Sequence, residues 1–182
     1  QIINTKNPSL PQEVGSYDTP GTAKAVTIAG SYAYVADESA LRIMNIANPE
    51  EPDFLGFYET PGQVEAVTIA GSYAYVADNY SGLRIINIAN PSAPQEVGFY
   101  DTPGRAKAVA IAGSYAYVAD DDSGLRIINI KNPSAPQEVG FYETAGDALD
   151  VAIAGSYAYV ADKEEGLRII NIKNPSAPQE VG

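Results

Sequence analysis

The sequence predicts an all-β fold, a β-propeller of four-stranded antiparallel blades with four repeats of about 42 residues per chain. Each repeat contains four short strand signals separated by turn residues. No segment has a sustained helical period. The stretch "AGSYAYVAD" occurs four times, and its glycines are spaced by 41, 42 and 42 residues, at Gly30, Gly71, Gly113 and Gly155.

The second repeat gives the clearest pattern of predicted strands. Tyr73 and Tyr75 lie on one face of the second strand, and Ala74 and Val76 lie on the other. Because both faces are apolar, we expect each sheet to be enclosed between two neighbouring sheets rather than exposed to water. The four predicted strands of this repeat are Ala66–Gly71, Ser72–Asp78, Leu83–Ile88 and Gln95–Thr102.

Turn residues separate these strands. Gly71 precedes Ser72, which is the pattern of a two-residue II′ hairpin loop. Pro103 and Gly104 stand where a type II turn prefers proline and glycine. The prolines of Asn90–Pro94 lack the N–H that a strand ladder needs, so this segment ends the third strand.

The repeat resembles the LVIVD family of β-propeller repeats. The motif that names this family aligns with Leu83–Asn87 and is followed by Asn90 and Pro91, and the match extends over every repeat. Arg84 stands in place of an aliphatic residue, and Asn87 replaces the usual aspartate. The resemblance implies surface or extracellular proteins of bacteria and archaea, most of them without an assigned biochemical role, and it transfers no catalytic residue.

The two ends of the chain are copies of one segment, because Gln1–Gly15 repeats Arg168–Gly182 with few changes. Both copies compete for one place in the last blade. Either four blades close within the chain, or two chains join head to tail into an eight-bladed ring with twofold symmetry. We favour the homodimer, which relaxes the angle between blades from about 90° to about 45°. The predicted units are a partial blade at 1–20, blades at 21–61, 62–103 and 104–145, and a final blade at 146–182 with the duplicated end.

Composition excludes several classes of function. The chain has no histidine and no cysteine, so Ser-His-Asp and Cys-His catalysis and the usual zinc and copper ligands are absent. The net charge of −12 opposes binding to nucleic acid or anionic lipid. We therefore predict no enzyme activity, no cofactor, no nucleic-acid partner and no membrane association.

The repeats differ mainly in two loops, after the fourth strand and after the second strand. Consecutive antiparallel strands alternate in direction, so both loops open on the same face of the disc. We interpret this variable-loop face as a candidate binding surface; the alternative is that these loops vary freely and only the Gly-Ser and Asn-Pro turns are fixed by geometry. Its residues are Lys24, Glu38, Gln63, Glu65, Tyr80, Arg105, Lys107, Asp122, Asp147, Asp150, Lys163 and Glu164.

Two clusters of charge have alternative interpretations. Asp120, Asp121 and Asp122 offer clustered oxygen ligands for calcium, but we favour a solvated acidic hairpin loop as their explanation and predict no metal site. Each repeat also places an aspartate at the end of the second strand and an arginine at the start of the third, and the two could meet across the hairpin. The pairs are Asp37/Arg42, Asp78/Arg84, Asp120/Arg126 and Asp162/Arg168.

Near-identical blades favour recent amplification or deliberate consensus engineering, so that the chain would be an engineered or excised multi-repeat fragment of the family it resembles. Between Ala66–Gly104 and Ala108–Gly146 only six of 39 positions differ. We expect a non-catalytic scaffold that assembles with itself into a closed ring. The alternatives are a prokaryotic cell-surface protein that binds a partner through the variable-loop face and a sugar-binding propeller that uses Tyr80. The localisation stays open.

Overall fold

The structure is a computed structural model that describes all 182 residues, and it contains only strands, turns and loops. Four antiparallel sheets of four strands follow one another along the chain, preceded by a pair of strands. Within each sheet the strands are paired in sequence order. The prediction of an all-β propeller with four-stranded blades is confirmed. No helix of the chain is long and apolar enough to cross a membrane.

The strand bounds repeat from blade to blade. The N-terminal strand pair is β1 (Ile2–Asn4) and β2 (Gln12–Gly15). The first blade is β3 (Ala23–Ala29), β4 (Tyr32–Asp37), β5 (Ala40–Asn45) and β6 (Asp53–Glu59). The second is β7 (Ala66–Ala70), β8 (Tyr73–Ala77), β9 (Leu83–Asn87) and β10 (Gln95–Tyr100). The third is β11 (Ala108–Ala112), β12 (Tyr115–Ala119), β13 (Leu125–Asn129) and β14 (Gln137–Tyr142). The fourth is β15 (Ala148–Ala154), β16 (Tyr157–Asp162), β17 (Gly166–Asn171) and β18 (Gln179–Glu180).

The first hairpin of each blade turns on a glycine. Gly71 has φ +59°, whereas Ser72 is not among the residues with positive φ, which matches a II′ turn. This turn fixes the register, in which Ala70 pairs with Tyr73 and Val67 with Val76. Because register and face are coupled in a strand, the turn also decides which face of β8 carries the tyrosines.

Neighbouring blades contact each other at a second glycine, which recurs at the same position of each repeat. In the first three blades the pairing of the third and fourth strands contains a bulge, which in the second blade lies between Glu96 and Gly98. A Cβ atom on Gly98 would overlap the carbonyl oxygen of Pro133 in the loop of the next blade. The same relation joins Gly56 to Pro91 and Gly140 to Pro175. A side chain at these positions would therefore push two blades apart.

The apolar core lies between the blades as three separate clusters. One cluster joins the tyrosine face of the first blade to the valine face of the second, and the other two repeat this arrangement along the chain. In the cluster between the second and third blades, Tyr75, Leu83 and Ile85 pack with Val109 and Val118. The first strands carry the contact, with β3 against β7, β7 against β11 and β11 against β15. Each blade thus depends on its neighbours for half of its core.

Candidate functional site: the two open ends of the blade series

The first blade has one apolar face with no blade against it. We call this the head face, formed by Val26, Ile28, Ala33, Val35, Met44 and Ile46. Val26 is 60% exposed, whereas its counterparts Val67 and Val109 are 4% and 6% exposed. Ile28 is likewise 56% exposed. The head face therefore has the composition of a blade interface and the exposure of a surface.

The fourth blade has the complementary open face. We call this the tail face, formed by Tyr157, Tyr159, Ala161, Leu167 and Ile169, with Asp150 at its edge. Leu167 is 61% exposed, whereas Leu83 and Leu125 at the same position are fully buried. In every internal junction this face packs on the equivalent of the head face. The chain thus ends in two unpaired halves of one interface.

A cavity of about 640 Å³ lies against the head face. Val26, Ile28 and Met44 line it on one side, and Ile2 and Tyr17 of the N-terminal segment line it on another. The N-terminal strand pair contributes only two strands where each blade has four. The cavity therefore lies beside an incomplete blade, and most of its lining residues are hydrophobic.

A buried aspartate ties each blade to the connection that enters it. Thr60 Oγ1 donates to Asp78 Oδ1 at 2.6 Å, and the Gly62 N–H donates to Oδ2 at 2.9 Å. Thr102 and Gly104 make the same contacts with Asp120. This arrangement fixes the loop between consecutive blades and needs a threonine, a glycine and an aspartate in every repeat. Sequence reasoning missed it, although the recurrence of "T(P/A)G" and "VAD" in each repeat was the available signal.

The environment of these aspartates differs along the chain. Burial raises the pKa of Asp78 and of Asp120, and the hydrogen bonds that they accept only partly offset it. Burial also acts to raise the pKa of Asp37, but hydrogen bonds from Arg42 and Thr19 outweigh it, so the pKa of Asp37 is lowered. The pKa of Asp162 is lowered as well, because several hydrogen bonds, including one from the Gly146 N–H, outweigh its burial.

Three of the four predicted aspartate–arginine pairs are present. Arg42 Nε lies 2.5 Å from Asp37, and Arg84 Nε lies 3.9 Å from Asp78. Arg126 repeats the second geometry with Asp120. The prediction for Asp162 and Arg168 is wrong, because backbone amides hold Asp162 and Arg168 pairs with Glu180.

The outer edge of the first blade differs from that of the other blades. Arg84 is shared between Asp78, Glu96 and Asp101. In the first blade Phe54 occupies the position of Glu96, opposite Met44 where Glu96 lies opposite Ile86. Phe54 stacks on Tyr17, with ring centroids 6.3 Å apart. An aromatic contact therefore attaches the N-terminal segment at the position where the other junctions pair a tyrosine with a glutamate.

Ten of the twelve predicted binding residues lie in loops, whereas Lys24 lies in β3 and Asp150 lies in β15, and several of them contact one another. Lys24 Nζ lies 2.8 Å from Glu65 Oε2, and Lys107 lies 3.5 Å from the other oxygen of Glu65. This chain of charges links three consecutive blades and lowers the pKa of Glu65, against the effect of its burial. Lys163 likewise pairs with Asp147 and Glu164. Glu38, Gln63, Asp122 and Asp150 are exposed.

Tyr80 is the most exposed large hydrophobic residue of the chain, at 77%. The Arg105 guanidinium lies 5.8 Å from the centre of its ring, and Arg105 also pairs with Asp121. No second aromatic side chain occurs in the variable loops. A flat ligand such as a sugar would therefore meet a single ring on this face.

Part of the variable loops joins one blade to the next. Asn79 exchanges two backbone hydrogen bonds with Ala106 of the following blade, and Asp121 does the same with Ala148. Asn79 and Asp121 have φ of +49° and +52° and are almost fully buried. This role could not be predicted from the sequence, because these positions vary between repeats and the contact uses only the backbone.

The three consecutive aspartates do not converge on a common point. Asp120 accepts hydrogen bonds from Thr102 and Gly104, and Asp121 pairs with Arg105. Asp122 is exposed beside Ser123. The structure contains no group of three or more carboxylates placed to hold a metal ion.

Comparison with known families and structures gives the following matches. The model of the LVIVD repeat matches residues 2–19, 20–60, 61–102, 103–144 and 145–182. The chain therefore belongs to the LVIVD repeat family. No curated protein sequence matches it.

Three solved structures that are similar to the chain are distant from it in sequence. The computationally designed Ika4 protein is 9% identical with a TM-score of 0.73, and the match covers 88% of this chain and 97% of that one. The designed Ika8 protein is 12% identical with a TM-score of 0.73, covering 93% and 51%. The periplasmic gluconolactonase PpgL of Pseudomonas aeruginosa is 15% identical with a TM-score of 0.78, covering 89% and 53%. The chain thus spans about half the length of the last two.

Proposed function

We propose that this member of the LVIVD repeat family is a non-catalytic repeat scaffold that assembles with itself, two chains closing head to tail into an eight-bladed ring. One observation carries the proposal: the head face and the tail face are the two halves of an interface that the chain already makes three times. A second copy of the chain would therefore cover each open face with the same kind of surface that covers its counterparts inside the chain.

Burying these two faces would contribute a large stabilising free energy for each side chain that is removed from water. Burying a valine, leucine or isoleucine is worth about 1.5–3 kcal/mol. Val26, Ile28 and Leu167 are each more than half exposed, and a ring of two chains would contain two such junctions. An exposed apolar face of this kind also promotes unspecific association, which a closed ring avoids.

The contacts between blades support two chains rather than one. The packing of β3 on β7, β7 on β11 and β11 on β15 has no equivalent between β15 and β3. Four blades within one chain therefore leave the ends apart. That the chain matches about half of the longer Ika8 chain is consistent with a half-ring.

Charged residues at the two open ends also support the pairing of the head face with the tail face. In the first three blades an alanine, such as Ala66 or Ala108, occupies the position that Asp150 takes in the fourth. Lys24, which contacts Glu65 of the second blade, also lines the cavity at the corresponding edge of the head face. An Asp150–Lys24 pair across the junction would neutralise a carboxylate that has no counterpart inside the chain.

The test is a substitution that adds a charge to the tail face. Leu167→Glu should shift the protein from a two-chain to a one-chain species in sedimentation velocity runs at equal concentration. Leu10→Glu is the matched control, because Leu10 is 62% exposed in the loop between β1 and β2 and lies outside both faces. If Leu167→Glu sediments like the unmodified chain, the ring of two chains is excluded.

A second candidate function is binding of a protein partner through the variable-loop face. The exposed ring of Tyr80, packed beside Arg105, favours it, because aromatic and arginine residues often anchor interfaces. Exchanging the loops 79–81 and 121–123 between blades should abolish capture of such a partner while leaving the mass in solution unchanged. Capture that persists after the exchange would contradict this candidate.

A further inference from the structure

The two copies of the duplicated segment are unequal as fourth strands. β18 contains only Gln179–Glu180, whereas β10 and β14 contain six residues each. β2 is a four-residue strand with the same sequence as Gln179–Gly182, and it leads through Ser16 to Tyr17.

β2 already occupies the position of a fourth strand relative to the first blade. A Cβ atom on Gly15 would overlap the carbonyl oxygen of Pro49, as one on Gly98 would overlap that of Pro133. Tyr17 stacks on Phe54. Thr19 Oγ1 donates to Asp37 at 2.8 Å, which repeats the contact of Thr60 with Asp78. β2 is therefore held in place by the blade that follows it.

For the third-strand position the comparison favours the C-terminal copy, because β17 has more strand pairing and more apolar contacts than β1. It pairs with β16 over six residues and carries Leu167 and Arg168. Ile172 follows it and is 5% exposed in the core. β1 has no counterpart of Leu167, and Thr5 stands where Ile172 stands in the other copy. Replacing β17 by β1 would therefore remove apolar contacts from the tail face.

We infer that the closing blade of the ring is a composite, with β15, β16 and β17 from one chain and the fourth strand, β2, from its partner. This inference rests on the proposed ring of two chains and specifies how the junction is completed. β1 and β18 would then be released from pairing, and the fourth strand would run without a break through Tyr17 into the first blade. Each chain would donate one strand and receive one.

The strand register predicts which residues meet. Across complete third and fourth strands Asn87 pairs with Gln95 and Asn129 with Gln137. The same position joins Asn171 to Gln179 within the chain, and the exchange would join Asn171 to the partner's Gln12. Directly opposed antiparallel residues have Cα atoms about 4.5–5.5 Å apart, which suits a disulfide.

The experiment uses pairs of cysteines in the full chain, which has no cysteine of its own. Gln12→Cys with Asn171→Cys should oxidise to a covalent two-chain species on a non-reducing gel. Asn171→Cys with Gln179→Cys should stay mostly reduced. Gln137→Cys with Asn129→Cys is the positive control, because it should close within the third blade.

The outcomes separate this inference from the proposed ring. A two-chain mass together with closure of the Asn171–Gln179 pair within one chain would overturn the strand exchange and leave the ring intact. Closure of the Gln12–Asn171 pair within a single chain would overturn both. Deletion of Gln179–Gly182 should keep the two-chain mass, and loss of that mass on this deletion would also contradict the exchange.

Discussion

The internal junctions and the open ends of this chain use the same residues in opposite environments. Leu83 and Leu125 are fully buried between blades, whereas Leu167 is 61% exposed on the tail face. Val67 and Val109 are buried, and Val26 on the head face is 60% exposed. The difference shows that a blade is not a self-sufficient unit. Its two apolar faces are buried only by neighbouring blades. The two end blades therefore each expose an apolar face that could pack against another blade.

The largest expected effect compares truncation of a buried leucine with truncation of an exposed one. Leu83→Ala should lower the free energy of unfolding by about 2–5 kcal/mol at any protein concentration, because it leaves a cavity between two blades. Leu167→Ala should lower the free energy of unfolding by a similar amount only at protein concentrations at which the chains are associated. Chemical denaturation over a hundredfold range of concentration measures this, and a concentration-independent effect of Leu167→Ala would contradict the account.

The next effect concerns the glycines at the two ends. Gly15→Ala should weaken association and lower stability by about 1–3 kcal/mol, because its Cβ would overlap the carbonyl of Pro49. Gly182→Ala should be neutral, since the nearest atom to its Cβ is Ile169 Cδ1 at 3.8 Å. Thermal unfolding at fixed concentration compares the two. Equal effects of the two substitutions would show that β2 has no special place.

A pH series should separate the buried aspartates of the middle blades from those of the end blades. The lowered pKa of Asp37 means that it stabilises the fold above its unfolded pKa of about 3.9, and that this stability is lost as the pH falls through its folded pKa. The raised pKa of Asp78 has the opposite sign, so its contribution is complete below about 3.9 and is lost as the pH rises through its folded pKa.

Asparagine variants of the two residues test these signs. The stability difference between the unmodified chain and Asp37→Asn should shrink on acidification from pH 7 to pH 3. The difference for Asp78→Asn should grow over the same range. Denaturant midpoints at four or five pH values would measure both, and slopes of the same sign would refute the assignment.

The smallest effect concerns the charges at the open ends. Lys24→Glu should weaken association several-fold at low salt, and Asp150→Lys in the same chain should restore it, because an exposed ion pair is worth about 0–1 kcal/mol. Lys107→Glu is the matched control, because both lysines contact Glu65 inside the chain and only Lys24 also lines the cavity at the head face. Sedimentation at two salt concentrations would reveal the effect. If the double substitution does not restore association, Lys24 and Asp150 do not contact each other across the junction.

Much of this fold could be predicted from the sequence because its determinants are local and repeated. The II′ turn at Gly71 sets the register, and the alternation of Tyr73 to Val76 then assigns each residue to a blade interface. The family, the strand order and the apolar faces follow from this pattern. The variable-loop face stays a prediction for binding.

Other features could not be predicted because they depend on contacts between repeats. The hydrogen bonds of Asn79 and Asp121 to the next blade use the backbone, and their side chains vary freely. The pairing of Arg168 with Glu180 depends on how the fourth blade ends. The stacking of Tyr17 on Phe54 joins residues from two different blades, one of them incomplete.

The mass of the assembled protein in native mass spectrometry tests the central claim most directly. At micromolar concentration we expect one species with twice the 19.2 kDa mass of a single chain. A dominant single-chain mass would contradict it, because the head face and the tail face would then be open or closed within one chain. A ladder of increasing masses would contradict closure into a ring.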